Sequence, residues 1–158
     1  MKNMLRLAPA AIAAACLAAP VFAGPLTTES RKEIDSLLDV LTMHPAVGET
    51  QYFTMKAGEV ISVPFNADAT IEYYVNAVCD DDCSNVDLIA READGVEADV
   101  DDFDDAAPTL NIHASEHRSP LVKPNGAPPR PMTIEIRMIA CNSDVCSLGL
   151  KITNVESW

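Results

Sequence analysis

The sequence is poor in positive charge: its 158 residues include 11 lysines and arginines against 24 aspartates and glutamates. So acidic a surface repels nucleic acid and anionic lipid headgroups, and we expect neither as a partner. Motifs of common catalytic sites are also missing, because the chain has no HExxH, no GxSxG and no glycine-rich phosphate loop. We therefore expect a protein that is not an enzyme.

Long apolar runs are scarce as well, and the exception lies near the N-terminus. Lys2 and Arg6 precede residues 7–23, which carry no charge and end on Val-Phe-Ala before Gly-Pro. This pattern predicts a secretory signal peptide, residues 1–23, that is cleaved after Ala23. A lipobox ending at Cys16 is the alternative. Cleavage leaves 135 residues, one domain with a net charge of −15, and no later run long enough to insert into a membrane.

An amphipathic helix is predicted for residues 28–43, within an N-terminal segment of residues 24–48. Its apolar side chains recur at helical spacing on one stripe, which we expect to pack against the rest of the domain. The stripe consists of Ile34, Leu37, Leu38 and Leu41. Ser30 and Glu33 match a capping box, with Thr27 or Thr28 as the alternative cap.

Residues 49–158 contain short β-like runs separated by turn residues. Apolar and polar side chains alternate in several of them, as in Ile134, Glu135 and Ile136. The runs are residues 51–55, 59–65, 70–78, 86–91, 96–100, 109–114, 132–140 and 146–153. About eight short strands without intervening helices predict a mainly β fold, an antiparallel β-sandwich behind one N-terminal helix.

Four cysteines remain after cleavage, in two close pairs. Cys79 and Cys83 are separated by three residues and Cys141 and Cys146 by four, and each pair lies where one predicted strand ends and the next begins. In an oxidising compartment two disulfides are expected. We predict local pairing, Cys79–Cys83 and Cys141–Cys146, with cross-sheet pairing as the alternative. The spacings and the compartment disfavour zinc.

Aspartates crowd around the first cysteine pair and recur between residues 99 and 105. The first cluster is not an EF-hand, because Asn85 replaces the loop glycine and Arg91 falls where the glutamate belongs. The first interpretation is solvated turns in which aspartates bond their own backbone. The second is a calcium site, calcium being the one cofactor we consider. Its ligands would come from Asp80, Asp82, Asp87, Asp99, Asp101 and Asp102.

A proline-rich stretch, residues 118–131, carries three of the basic residues of the chain, Arg118, Lys123 and Arg130. Its five prolines forbid a central strand, so we expect an exposed loop. The three basic side chains either fold back on the acidic body of the protein or bind an acidic partner.

Two stretches together resemble a known family of domains. TIEYYVNAVCDDDCSNVDLIAREADGVEADVDDFDDAAPTLNI and MTIEIRMIACNSDVCSLGLKI resemble the bacterial pre-peptidase C-terminal (PPC-like) β-sandwich domains over roughly residues 51–153. The positions that carry the resemblance are Cys79, Asp80, Cys83, Asp87, Leu88, Gly95, Asp105, Pro108, Cys141 and Cys146. The resemblance implies a jelly-roll-like sandwich that is not itself catalytic and usually accompanies a secreted enzyme. Some relatives bind calcium or matrix polymers.

These features predict a periplasmic or secreted, non-catalytic binding or accessory protein that recognises an extracytoplasmic protein or polysaccharide. One alternative is an inhibitor or chaperone-like partner of a co-secreted peptidase. The other is a secreted hydrolase using paired carboxylates, which a concave cleft holding two carboxylates would favour.

Overall fold

In a computed structural model the chain is described over residues 26–68, 70–113 and 129–155. These residues form one helix and eight strands, and none of their helices is long and apolar enough to cross a bilayer. The elements are α1 (Thr28–Leu41), β1 (Gln51–Met55), β2 (Val60–Ala67), β3 (Glu72–Cys79), β4 (Cys83–Glu92), β5 (Glu97–Asp101), β6 (Thr109–Ile112), β7 (Arg130–Cys141) and β8 (Cys146–Val155). All eight predicted strands are confirmed, with small differences at their ends.

The strands form two four-stranded sheets. The first sheet has the order β1-β8-β3-β6 and the second the order β2-β7-β4-β5, and the paired strands are antiparallel. The chain passes from one sheet to the other at every connection except the one between β4 and β5. Two packed sheets with this order form a jelly roll, so the predicted fold class is confirmed.

The core lies between the two sheets. On β3, Val75 and Ala77 face this core as the alternation predicts, and Val78 faces the opposite side. The second sheet contributes side chains such as Leu88 and Ile136, which are fully buried. Because burial of each large aliphatic side chain contributes about 1.5–3 kcal/mol, this core supplies most of the stability of the fold.

Helix α1 packs on the outer face of the first sheet. Ile34 and Leu38 are fully buried there, against Val78 and directly over Gly149 of β8. Leu37 and Leu41, from the same predicted stripe, are each 44% exposed, so the expectation that the whole stripe packs is wrong. The sheet therefore covers only the side of the stripe that carries Ile34 and Leu38.

The start of α1 is fixed by a cap and by contacts with β1. Thr27 is the N-cap, since its hydroxyl accepts a hydrogen bond of 3.1 Å from the Ser30 amide, and Ser30 lies inside the first turn. The Tyr52 hydroxyl of β1 donates to Asp35, and the Arg31 guanidinium lies 4.3 Å from the centre of the Tyr52 ring. Burial and the bond to Asp35 raise the pKa of Tyr52, which keeps this hydroxyl a donor.

Both predicted disulfides are present, joining Cys79 to Cys83 and Cys141 to Cys146. Each spans a corner at which the chain changes sheets, β3 to β4 in one case and β7 to β8 in the other. The corners are adjacent, because the Asn142 amide donates to the Asp82 carbonyl at 2.7 Å. One end of the sandwich is therefore cross-linked twice, and these bonds indicate an oxidising compartment.

Candidate functional site

A pocket of about 290 Å³ lies on the outer face of the first sheet, beside the C-terminal end of α1. Three strands of the sheet supply half of its lining, Tyr74 and Asn76 from β3, Thr109 from β6 and Thr153 from β8. The end of α1 and the segment after it supply the other half, Leu41, Thr42, Met43 and His44. In the strand register Tyr74 is opposite Thr153 and Asn76 is opposite Thr109. Residues two apart on a strand, and residues directly opposite, share a face, so the sheet order brings these four side chains together.

The segment that follows α1 closes one side of the pocket with His44. The His44 ring stacks on Tyr74, with ring centres 5.6 Å apart and planes inclined by 16°. The chain then runs along β8, where the Val47 amide donates to the Ile152 carbonyl at 2.8 Å and Ala46 forms a bridge with Thr153. These main-chain contacts hold the imidazole over the tyrosine.

The polar side chains of the pocket differ in how well their hydrogen bonds are satisfied. Asn76 is 4% exposed, and its Oδ1 accepts a hydrogen bond of 3.0 Å from the Thr109 hydroxyl. Thr153 is 1% exposed, and its hydroxyl has no hydrogen-bond partner among the described residues. Buried hydroxyl groups are nearly always paired, so Thr153 is an exception that the fold alone does not explain.

The electrostatics of the pocket favour a neutral ligand. None of the described residues that line it is a carboxylate, a lysine or an arginine. Lys151, which lies opposite Asn76 on β8, is paired with Asp39 of α1 at 3.1 Å. The lining offers hydrogen-bonding side chains and the aromatic rings of His44 and Tyr74.

The predicted calcium ligands fall in two places: Asp80 and Asp82 lie at the corner after β3, and Asp87, Asp99, Asp101 and Asp102 lie on or beside the paired strands β4 and β5. Asp80 is buried at the corner after β3, where its Oδ2 accepts a hydrogen bond of 3.2 Å from the Ser147 amide. Its other oxygen, Oδ1, has no partner in the described part of the chain. Asp82 is exposed in the same corner. Asp80 therefore ties the disulfide corner to β8.

Asp99 and Asp101 connect the two sheets at one open side of the sandwich, where the edge strands β5 and β6 lie next to each other. Asp99 Oδ2 accepts a hydrogen bond of 2.6 Å from the Asn111 amide, and Asp101 Oδ2 accepts one of 2.7 Å from the Thr109 amide. The donors belong to β6, the edge of the first sheet, and the carboxylates to β5, the edge of the second. The two carboxylates thus accept hydrogen bonds from edge amides of β6 and hold β5 against that strand.

Asp87 and Asp102 complete the predicted set. Asp87 lies on the outer face of the second sheet opposite Arg137. Burial raises the pKa of Asp87, the charges of Asp102 and Asp101 raise it further, and the charge of Arg137 offsets this rise only in part. Asp102 is exposed. Across residues 26–68, 70–113 and 129–155, no group of three or more His, Cys, Asp or Glu side chains is placed to hold a metal ion. Calcium binding therefore stays a prediction of the sequence.

Among the predicted partner-binding residues, Arg118 and Lys123 lie outside the described residues. Arg130 is described, and it is paired with Glu92 at the end of β4, with Nε 2.9 Å from Oε2. It also donates to the His113 carbonyl at 3.1 Å. Arg130 thus folds back on the acidic body, in line with the first of the two interpretations.

Sequence reasoning missed the pocket residues. Tyr74 and Asn76 were visible only as the outward positions of a strand, and Thr109 and Thr153 as ordinary strand residues. No motif marks them, because their proximity arises from the order of the strands in the first sheet.

The fold and the site define a class: an eight-stranded jelly roll with a helix on its outer face and a small neutral pocket beside that helix. The sequence matches no protein-family model, and no curated protein matches it. The resemblance to PPC-like domains therefore stays a prediction, carried by the motifs quoted above.

Proposed function

We propose that the protein is a non-catalytic binding or accessory protein that works outside the cytoplasm and recognises a polysaccharide. The pocket on the first sheet carries this proposal, because it combines neutral hydrogen-bonding side chains with the stacked rings of His44 and Tyr74. A sugar ring has hydroxyl groups at its edge and apolar C–H groups on its faces. Pockets that pair an apolar or aromatic lining with a few placed polar groups suit such a ligand.

The charge of the protein supports a neutral polysaccharide in particular. The chain has 24 acidic residues against 11 basic ones, and long-range repulsion disfavours uronate-rich or sulfated polymers. Within the pocket no lysine or arginine of the described lining is available to pair with an anionic group.

The disulfides support a role outside the cytoplasm. Cys79–Cys83 and Cys141–Cys146 both hold corners of the sandwich, and such bonds form and persist in oxidising compartments. The predicted signal peptide agrees with this location.

Sedimentation with insoluble polysaccharides tests the proposal. The oxidised mature protein is mixed with cellulose, chitin, an insoluble β-1,3-glucan and, as an anionic polymer, calcium pectate. We expect retention on a neutral polymer that persists at about 1 M salt, where charge attraction is screened. An unrelated acidic protein of similar size is the control.

Two results contradict the proposal. Absence of retention on every neutral polymer removes polysaccharide recognition. Release of new reducing ends from a retained polymer shows hydrolysis, and the protein is then an enzyme rather than a binding protein.

A further inference from the structure

The two disulfides of the sandwich lie side by side. Cys83 at the start of β4 is directly opposite Cys141 at the end of β7, although each of them is bonded to a different cysteine. Opposite residues of antiparallel strands have Cα atoms about 4.5–5.5 Å apart, which lies within the range of roughly 4.4–6.8 Å that a disulfide can span. The strand register is therefore compatible with a third bond, between Cys83 and Cys141.

Further contacts bring the other two cysteines to the same place. Cys146 Sγ lies 3.0 Å from the carbonyl oxygen of Asp82, the residue before Cys83. Cys79, Cys83 and Cys146 belong to one core cluster, and Cys141 packs against it. A thiol released from one disulfide would therefore lie beside the other disulfide.

The two bonds differ in their access to solvent. Cys79 and Cys83 are only 4% and 7% exposed, so the bond between them is poorly accessible to an external reductant. Cys146 is fully buried, but Cys141 is partly exposed and the four residues 142–145 that follow it are exposed. Because thiol–disulfide exchange requires access of a thiolate to a sulfur atom, Cys141 Sγ is the point at which an external thiol can attack.

We infer that the four cysteines form an intramolecular disulfide relay, in which reduction of Cys141–Cys146 moves the remaining disulfide to Cys83–Cys141. The partner is a dithiol reductant, such as the dithiol of an extracytoplasmic thiol–disulfide oxidoreductase. This redox activity goes beyond polysaccharide recognition and does not depend on it.

Each step of the relay is a thiol–disulfide exchange. One thiolate of the dithiol attacks Cys141 Sγ and releases the Cys146 thiolate. The second thiol of the reductant attacks the mixed disulfide, releases the Cys141 thiolate and leaves as a disulfide, so two electrons have passed to the protein.

The transfer between the two pairs involves no further change in oxidation state. The Cys141 thiolate attacks Cys83 Sγ, forms the cross-strand bond and releases the Cys79 thiolate. Cys79 and Cys146 take up the two protons that the dithiol lost. The product has one disulfide, which joins β4 to β7, and neither corner of the sandwich is closed by its own disulfide.

Partial reduction of the wild-type protein tests the relay. The oxidised protein is treated with a limiting amount of dithiothreitol and quenched with acid, the free thiols are alkylated, and the disulfides are mapped by mass spectrometry. We expect species with one disulfide to contain Cys83–Cys141, with Cys79 and Cys146 alkylated. If the species with one disulfide contain only other pairings, the inference is overturned.

Removal of the accessible bond separates a relay from simple loosening of the structure. In Cys141→Ala/Cys146→Ala the corner between β7 and β8 is no longer cross-linked, so loosening alone would speed reduction of Cys79–Cys83. The relay predicts reduction about tenfold slower than in wild type at roughly 0.1 mM dithiothreitol, because an intramolecular thiol acts at an effective concentration of about 1 mM or more. An equal or faster rate in the variant contradicts the relay.

Two matched variants, each with two cysteines, test the register. Cys79→Ala/Cys146→Ala keeps only the opposite pair, and we expect the monomer to form the Cys83–Cys141 disulfide on air oxidation. Cys83→Ala/Cys146→Ala is the control, because Cys79 is opposite Leu148 instead, and its monomer should keep two free thiols. Equal oxidation of the two monomers would show that the register does not direct the exchange.

Discussion

Replacing Gly149 by alanine will weaken the docking of α1 on the first sheet. A Cβ at this position would lie 2.4 Å from Ile34 Cγ2 and 3.1 Å from Leu38 Cδ1. Carbon atoms in contact are normally about 3.5–4.0 Å apart, so the helix must retreat by more than about 1 Å. The Leu38 methyl can rotate away, but Ile34 Cγ2 is held because the χ1 angle of a β-branched residue in a helix is stiff.

The size of the effect follows from opposing contributions. Overpacking a closed contact costs about 1–3 kcal/mol, and replacing glycine in a strand returns about 0.5–1 kcal/mol, so the net loss should be about 1–2 kcal/mol. The docking itself depends on burial of Ile34 and Leu38, each worth about 1.5–3 kcal/mol. Gly149→Ala should therefore loosen the helix without detaching it fully.

Hydrogen exchange measures this loosening directly. A loss of 1–2 kcal/mol raises the open population about 5–30-fold, so the amides of α1 should exchange faster by that factor. The double variant Ile34→Ala/Gly149→Ala removes the clashing methyl group. It should be more stable than the sum of the two single effects by about 1 kcal/mol or more. Leu37→Ala, on the exposed side of α1, is the control.

Two results would contradict this prediction: unchanged protection of α1 in Gly149→Ala, or simple addition of the two single effects. Either result would mean that the helix does not depend on the missing Cβ for its close approach.

Three further predictions concern charges and cross-links. Burial alone would raise the pKa of Glu135, but hydrogen bonds from its two arginine neighbours outweigh burial and lower it below 4.5. A carboxylate with a lowered pKa stabilises the folded state at pH values above its unfolded pKa, and this stabilisation is lost as the pH falls through its folded pKa. Glu135→Gln should thus be less stable than wild type in urea at pH 7, and the difference should shrink as the pH falls through the folded pKa of Glu135; a difference that does not shrink on acidification would contradict this. Asp99→Ala removes the acceptor of the Asn111 amide, so that amide should exchange faster and stability should fall by about 1–3 kcal/mol; unchanged protection of Asn111 would show that the contact is dispensable. The Cys79→Ala/Cys83→Ala variant should lose about 2 kcal/mol in chemical denaturation, the chain-entropy value for so short a loop, and an equal midpoint to wild type would count against it.

The strands, the helix and the disulfides could be predicted because their signals are local. In β7, Ile134 and Ile136 are buried and Glu135 lies between them on the other face, as the alternation indicates. The cysteine pairs are four and five positions apart at strand ends, and a turn at each corner brings them together.

The pocket could not be predicted because its parts are distant in the chain. Tyr74 and Thr153 are neighbours since β3 pairs with β8, and that pairing depends on the packing of the whole jelly roll. The acidic cluster was ambiguous for a similar reason. The partner of Asp99 is the main-chain amide of Asn111, and a main-chain group leaves no trace in the sequence.

The carboxylates at the open side of the sandwich also affect how copies of the protein meet at high concentration. An edge strand with free amides is a template on which another chain can add a strand, and this is a common route to aggregation. At β6 two of these amides are already bonded to Asp99 and Asp101. A second molecule approaching this edge would meet occupied donors and negative charge, so edge-to-edge association at β6 is disfavoured both by the lack of these two donors and by electrostatic repulsion.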